Sequence, residues 1–261
     1  MLAVIRIIFI ALVMLTAFPF VILYCLVRPR HPDLVHQIGV LIAKCGRFVG
    51  LEVEVRVVTQ QLPEKAVWIA NHQNSYDMFT LPFALRKGVV SIGKKSLALI
   101  PFFGQIYWIT GNILIDRDRR SKAADTIKQA AAAIERRHLS VWMFPEGTRS
   151  YGRGLQSFKT GAFHLAMQAK VPMLPICCSS THGQVKLNRW NNGKVIVEVG
   201  HAFSVAEWKG QLRSHIADLH QQMEQRIYEL TMEARGEAAD YADVHQRNLA
   251  SPAETMVGEN T

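Results

Sequence analysis

Short apolar runs of strand length recur down this chain. Each runs into a polar loop and then a stretch of helical periodicity, and no other feature constrains the fold as tightly. The runs are Glu52 to Val58, Ala66 to Ala70, Val89 to Gly93, Ile113 to Ile115, Ser140 to Phe144, Val171 to Cys178 and Lys194 to Val199. Between and after them, Met78 to Arg86, Ser121 to Arg137, Gly161 to Lys170 and Trp208 to Ala234 read as helices. Apolar strands joined through helices must be covered on both faces. The alternation therefore predicts one α/β domain over residues 52–235, a largely parallel sheet with helices on both faces. Ligands of such sheets collect beyond the carboxyl ends of the strands.

An apolar segment precedes the domain. Ile7 to Val27 is twenty-one residues without a charge, long enough to cross about 30 Å of hydrocarbon as a helix. No small-x-small cleavage site follows it, so it reads as a retained membrane helix, with Pro19 as a candidate kink. Pro32 to Leu51 repeats apolar residues at helical spacing; such a face can lie in a membrane interface or pack on the domain, and the pattern does not choose. Residues 1–51 thus form a membrane-anchoring helical segment. Arg6 precedes the apolar run while Arg28, Arg30, Lys44 and Arg47 follow it, which places the domain in the cytoplasm by the positive-inside rule. Ser96 to Ile115 is also uncharged over twenty residues, yet Pro101, Gly104, Gly111 and Asn112 interrupt it, so it is expected to be buried or membrane-facing without spanning. Gly236 to Thr261 is polar and is expected to be disordered.

Thirty Lys and Arg against twenty-one Asp and Glu give a net charge of +9, which favours anionic partners without naming one. The four cysteines form no CxxC pattern, and adjacent Cys177 and Cys178 lie in an apolar run, so neither a disulfide framework nor a metal site is suggested.

The central run, AVWIA, empties into Asn71-His72-Gln73-Asn74-Ser75, with Asp77 five positions after the histidine. On a regular helix five residues turn by about 500°, leaving two such side chains about 140° apart. They meet only if a turn at the strand end swings one toward the other. A carboxylate on one imidazole nitrogen leaves the other free to take a proton, and a histidine pKa near 6.5 suits a general base. Taken alone, the pair also fits an ordinary loop histidine beside a helix-start aspartate. The Ser140 to Phe144 strand empties in turn into Pro145-Glu146-Gly147-Thr148-Arg149-Ser150. Here a glycine permits close backbone approach and Arg149 can grip a phosphate with its planar fork, unless it merely pairs with Glu146.

With both motifs in hand, the chain resembles the glycerolipid acyltransferases from its amino-terminal segment to about Val199. Four blocks carry the likeness: Asn71-His72 with Asp77; Lys94, Leu97, Gly104 and Arg117 in the spacing K-x2-L-x6-G-x12-R; Phe144 to Ser150; and Val171 to Ile176. The resemblance implies that His72, steadied by Asp77, deprotonates the sn-2 hydroxyl of a lysophosphatidic acid, whose oxygen then attacks an acyl thioester to give phosphatidic acid. It implies that Arg149 and Arg117 hold the phosphate, that Lys94 and Thr148 add contacts, that Gly147 allows close approach and that Glu146 shapes the site. Arg117 can equally pair with Asp116 or Asp118. No cofactor or metal is expected. The donor is acyl-CoA or acyl carrier protein, the acceptor is a membrane lipid, and nucleic acid is not a partner. The location implied is the cytoplasmic face of a bacterial inner membrane. Glycerol-3-phosphate or another lysophospholipid as acceptor, or a tethered lipid-binding protein without catalysis, would share most of these features.

Overall fold

A computed structural model describes residues 1–101, 103–115, 123–206, 208 and 210–238. Seven strands form the sheet: β1 (Glu52–Val57), β2 (Val67–Ala70), β3 (Val89–Lys94), β4 (Ile113–Ile115), β5 (Ser140–Met143), β6 (Met173–Cys178) and β7 (Lys194–Val199). Their order is β1-β7-β6-β2-β5-β3-β4. The run from β6 to β4 is parallel throughout, whereas β7 is antiparallel to β6 and parallel to β1. The largely parallel sheet is thus present, with two reversed strands at one side.

Alternation along β2 divides the core. Val67 and Ile69 join the cluster that packs against Ala130 and Ile134 of α5 (Ala123–Arg136), Phe163 and Leu165 of α6 (Gly161–Ala169), and Leu219 and Met223 of α7 (Leu212–Arg235). Trp68 and Ala70 face the other way, onto Leu81, Leu85, Leu174 and Ile176. Side chains of one strand therefore serve two layers, as a sheet covered on both faces requires.

Two helices depart from expectation. The helix expected over Met78 to Arg86 is only α3 (Asp77–Thr80) and a 3-10 turn at Leu81–Phe83. Pro82 has no N–H to continue the ladder, which stops it there. The last helix starts at Leu212, after Gly210 at φ +90° breaks the pattern from Trp208. Ser96 to Ile115 folds as a 3-10 turn (Lys95–Leu99), α4 (Phe103–Ile109) and strand β4. Of the tail, residues 239–261 lie outside the described residues.

The apolar amino-terminal segment is one helix, α1 (Leu2–Val27), 26 residues long and apolar enough to cross a membrane. It is held against the domain at both ends. Near its start, Arg6 donates to the carbonyls of Leu187 (2.9 Å), Arg189 (2.5 Å) and Trp190 (2.9 Å), and Phe9 meets Phe48 at 4.6 Å. Near its end, the Tyr24 hydroxyl donates to Gln37 Oε1 at 2.9 Å, and Cys25 is buried with Leu34 and Ile38 of α2 (Leu34–Lys44) against Ile106 and Ile109. Its other side leaves Ile8, Leu12, Leu15, Phe20 and Leu23 exposed.

Candidate active site

β2, β5 and β6 are parallel neighbours, so the loops that leave their carboxyl ends start side by side. The loop after β2 carries His72, and the loop after β5 carries Glu146 to Arg149. The sheet therefore brings together two motifs that stand more than seventy residues apart.

Asp77, first residue of α3 and buried, closes the turn that the five-residue spacing demands. Its Oδ2 accepts from His72 Nδ1 at 2.7 Å, from the Gln73 N–H at 2.8 Å and from the Asn74 N–H at 3.3 Å. The carboxylate folds the 72–74 backbone around itself and holds the imidazole in one orientation. An ionised carboxylate only accepts, so Nδ1 carries the proton and Nε2 is left with its lone pair. The His72 side chain is 19% exposed, with its ring stacked on Phe144 at 3.8 Å between centroids and 10° between planes. Trp142 meets Phe144 edge-on at 5.0 Å behind it. The imidazole is thus fixed in position by the carboxylate and in plane by the phenyl ring.

Glu146 does not pair with Arg149. It is buried, with Oε1 accepting the His72 N–H at 2.5 Å and Oε2 accepting the Gln156 N–H at 2.9 Å. Burial pushes its carboxyl above the ordinary value near 4.5, and the two N–H groups offset part of that. The same two loops exchange backbone bonds, Ser150 N–H to the His72 carbonyl (2.8 Å) and Tyr151 N–H to that of Gln73 (2.9 Å). On the β6 side, Asn71 bonds both the N–H and the carbonyl of Cys178 at 2.9 Å, Gln73 bonds Ser179 and Thr181, and Asn74 bonds the Thr181 hydroxyl. Three strand-end loops are stitched into one rigid floor.

Gly147 sits at φ +70°, and a Cβ there would come 2.8 Å from Lys159 Nζ. That left-handed backbone favours glycine, and Lys159 lies across it. Thr148 and Arg149 are exposed on the same turn, with Arg149 Nη1 donating to the Tyr151 hydroxyl at 3.3 Å. Lys94 is exposed at the carboxyl end of β3, two strands from β2 at the same end of the sheet. Arg117 lies outside the described residues. The structure thus joins His72 directly to Asp77 and Glu146, places Gly147 on the adjoining turn and sets Thr148, Arg149 and Lys94 exposed at the same end of the sheet. Phe144 and Lys159 are additions to the expected set. Phe144 was visible as the end of an apolar run and the start of the third block, with no role of its own, and Lys159 as one of two charges in the 151–159 loop.

The arrangement offers a positioned imidazole, an exposed arginine on the adjoining turn with Lys159 against Gly147, and no thiol in a state to attack. Cys177 and Cys178 are buried, and burial pushes the Cys177 thiol up to about 12 and that of Cys178 higher still. Among the described residues no group of His, Cys, Asp and Glu is placed to hold a metal ion. A cavity of about 700 Å³ lined by Ile127, His164, Met167 and Trp208 lies on the α5–α6–α7 side and shares no residue with the His72 cluster.

The acyltransferase family model matches residues 53–179, from β1 to just past β6. A 1-acyl-sn-glycerol-3-phosphate acyltransferase of Haemophilus influenzae is 47% identical over 216 residues, covering 81% of this chain and 89% of that protein. One from Escherichia coli is 48% identical over 220 residues, covering 83% and 90%. The crystal structure of the 1-acyl-sn-glycerophosphate (LPA) acyltransferase from Thermotoga maritima has the same fold, with a TM-score of 0.65 at 20% identity over 86% of this chain and 95% of that one.

Proposed function

This chain belongs to the 1-acyl-sn-glycerol-3-phosphate acyltransferase family, and on that premise we propose that His72 and Asp77 carry acyl transfer from a thioester to the sn-2 hydroxyl of 1-acyl-sn-glycerol-3-phosphate. The observation that supports this best is the 2.7 Å bond from His72 Nδ1 to a buried Asp77, which aims a lone pair out of a rigid floor at a partly exposed position. Nε2 takes the hydroxyl proton as the oxygen attacks the thioester carbonyl. A C–O bond forms, the C–S bond breaks, and the imidazolium returns the proton to the departing thiolate. The products are phosphatidic acid and free thiol, so proton and electron pair are both accounted for. A placed base contributes roughly 10² to 10⁴-fold, which leaves alignment of the two substrates to supply much of the rest.

Arg149 and Arg117 hold the acceptor phosphate, with Lys94 and Thr148 adding contacts at the rim. Gly147 brings the backbone close, and Glu146 acts by holding the His72 loop. Acyl-CoA or acyl carrier protein is the donor. The outward apolar face of α1 enters the bilayer at the cytoplasmic face of a bacterial inner membrane, so the acceptor arrives laterally while the donor comes from the cytoplasm.

The acceptor is tested by assaying the purified protein with 1-acyl-glycerol-3-phosphate, glycerol-3-phosphate and a neutral monoacylglycerol, beside Arg149→Ala. The expected result is preference for the first substrate and a KM for it raised roughly 10- to 100-fold in the variant, the equivalent of a charged hydrogen bond. Equal use of monoacylglycerol, or an unchanged KM, removes the phosphate grip from the account.

A further inference from the structure

The chain between β6 and β7 leaves the sheet at the carboxyl end of β6, and the antiparallel register of Cys178 with Val197 puts its return at that same end. It therefore lies beside the site. Its first residues belong to the floor, since the Thr181 N–H donates to Gln73 at 2.8 Å and its hydroxyl accepts from Asn74 at 2.8 Å. Its far part is fixed by buried polar groups. Asn192, 1% exposed, donates to the carbonyls of Val49 (2.7 Å) and Lys186 (3.1 Å) and accepts the Lys186 N–H at 2.8 Å. Arg6, 6% exposed, binds three carbonyls between Leu187 and Trp190, and the Ala3 N–H reaches Asn188 at 2.9 Å.

A loop held this firmly cannot fold its tip away from water, yet the tip is Trp190, 79% exposed. Arg6 lies 5.8 Å from the centre of the indole, and Lys186 and Arg189 are exposed beside it. The nearby first turns of α1 expose Val4, Ile5 and Ile8, and the 3-10 turn beneath exposes Phe48. An amphipathic ring flanked by cations and continuous with an apolar stripe matches the chemistry of a bilayer's interfacial layer. We propose that the Trp190 loop is a second membrane contact, with the indole in the interfacial layer and Lys186 and Arg189 against anionic headgroups. This rests on the reading that α1 enters the bilayer. Because the loop begins in the floor under His72, it sets the height of the site over the lipid surface.

The test uses full-length protein reconstituted into vesicles of phosphatidylcholine and phosphatidylglycerol, with tryptophan quenching by phospholipids brominated near the headgroup. Wild type, Trp190→Phe and Trp108→Phe are compared, each pelleted with the vesicles. Pelleting of all three with loss of a quenchable component in Trp190→Phe is the expected result. Pelleting with quenching unaltered by Trp190→Phe overturns the inference while leaving the α1 reading intact. Failure of the wild type to pellet overturns both. Lys186→Gln with Arg189→Gln is expected to shift half-maximal activity to a higher phosphatidylglycerol fraction, and an unshifted curve removes the headgroup contact.

Discussion

Glu146 spends both carboxylate oxygens on backbone N–H groups, those of His72 and Gln156, and so it holds the loop that carries His72. Its raised pKa means that the folded state binds its proton more tightly than the unfolded chain does. The contribution to stability is full below the ordinary value near 4.5 and is lost as pH rises through the raised one. Glu146→Gln should remove that pH-dependent loss, while presenting one donor and one acceptor to two N–H groups. The protonated carboxyl presents the same pair, so the two proteins are matched at low pH and differ once the carboxylate ionises. Urea midpoints should therefore start close together at pH 4, and that of the wild type should fall further by pH 7 than that of the variant. A variant curve parallel to wild type would contradict this role. At this scale the sequence made the chemistry legible, because His72 and Asp77 are local neighbours and few local turns unite them. Glu146 was legible as a member of the site but not as a clamp, since its partners come from another strand end and a later loop.

Elements joined by ladder and period were readable; elements joined by single long-range contacts were not. All seven strands stand where apolar runs predict them, because a two-residue period and flanking turns are local signals. The helix after His72 is short because of one proline. Arg6 reads as a charge flanking an apolar run, yet in the structure it lies inside α1 and is buried, since carbonyls from residues 187–190 replace its water. Nothing near Arg6 in sequence announces those partners. The last helix, α7, is tied to the sheet in the same way. Arg226 grips Glu198 of β7 through Nε at 2.7 Å and Nη2 at 2.5 Å, and the Glu198 side chain is only 9% exposed. Arg226 itself is 38% exposed, so solvent weakens the pair, and Arg226→Ala should cost about 1–2 kcal/mol in denaturant unfolding. Replacing both partners with leucine should recover part of that loss, because no buried carboxylate is then stranded. A double variant less stable than Arg226→Ala would contradict the pairing.

The whole molecule is arranged about one end of its sheet. Strands β6, β2, β5 and β3 finish there, β7 and β1 begin there, and the start of α1 is fastened beside them through the 187–190 loop. An enzyme whose acceptor is a membrane lipid needs this juxtaposition of apolar surface and catalytic floor. On the proposal that α1 enters the bilayer by apolar burial, with charge only secondary, a high-salt wash of membranes should leave the protein in the pellet, and its release would contradict insertion of α1. The central claim is that His72 is the base of an acceptor-dependent acyl transfer. The most direct measurement is thiol release from palmitoyl-CoA, with and without 1-acyl-glycerol-3-phosphate, by wild type and by His72→Ala. The account predicts release that requires the acceptor and falls by roughly 10² to 10⁴-fold in the variant. Equal release by the two proteins would contradict it.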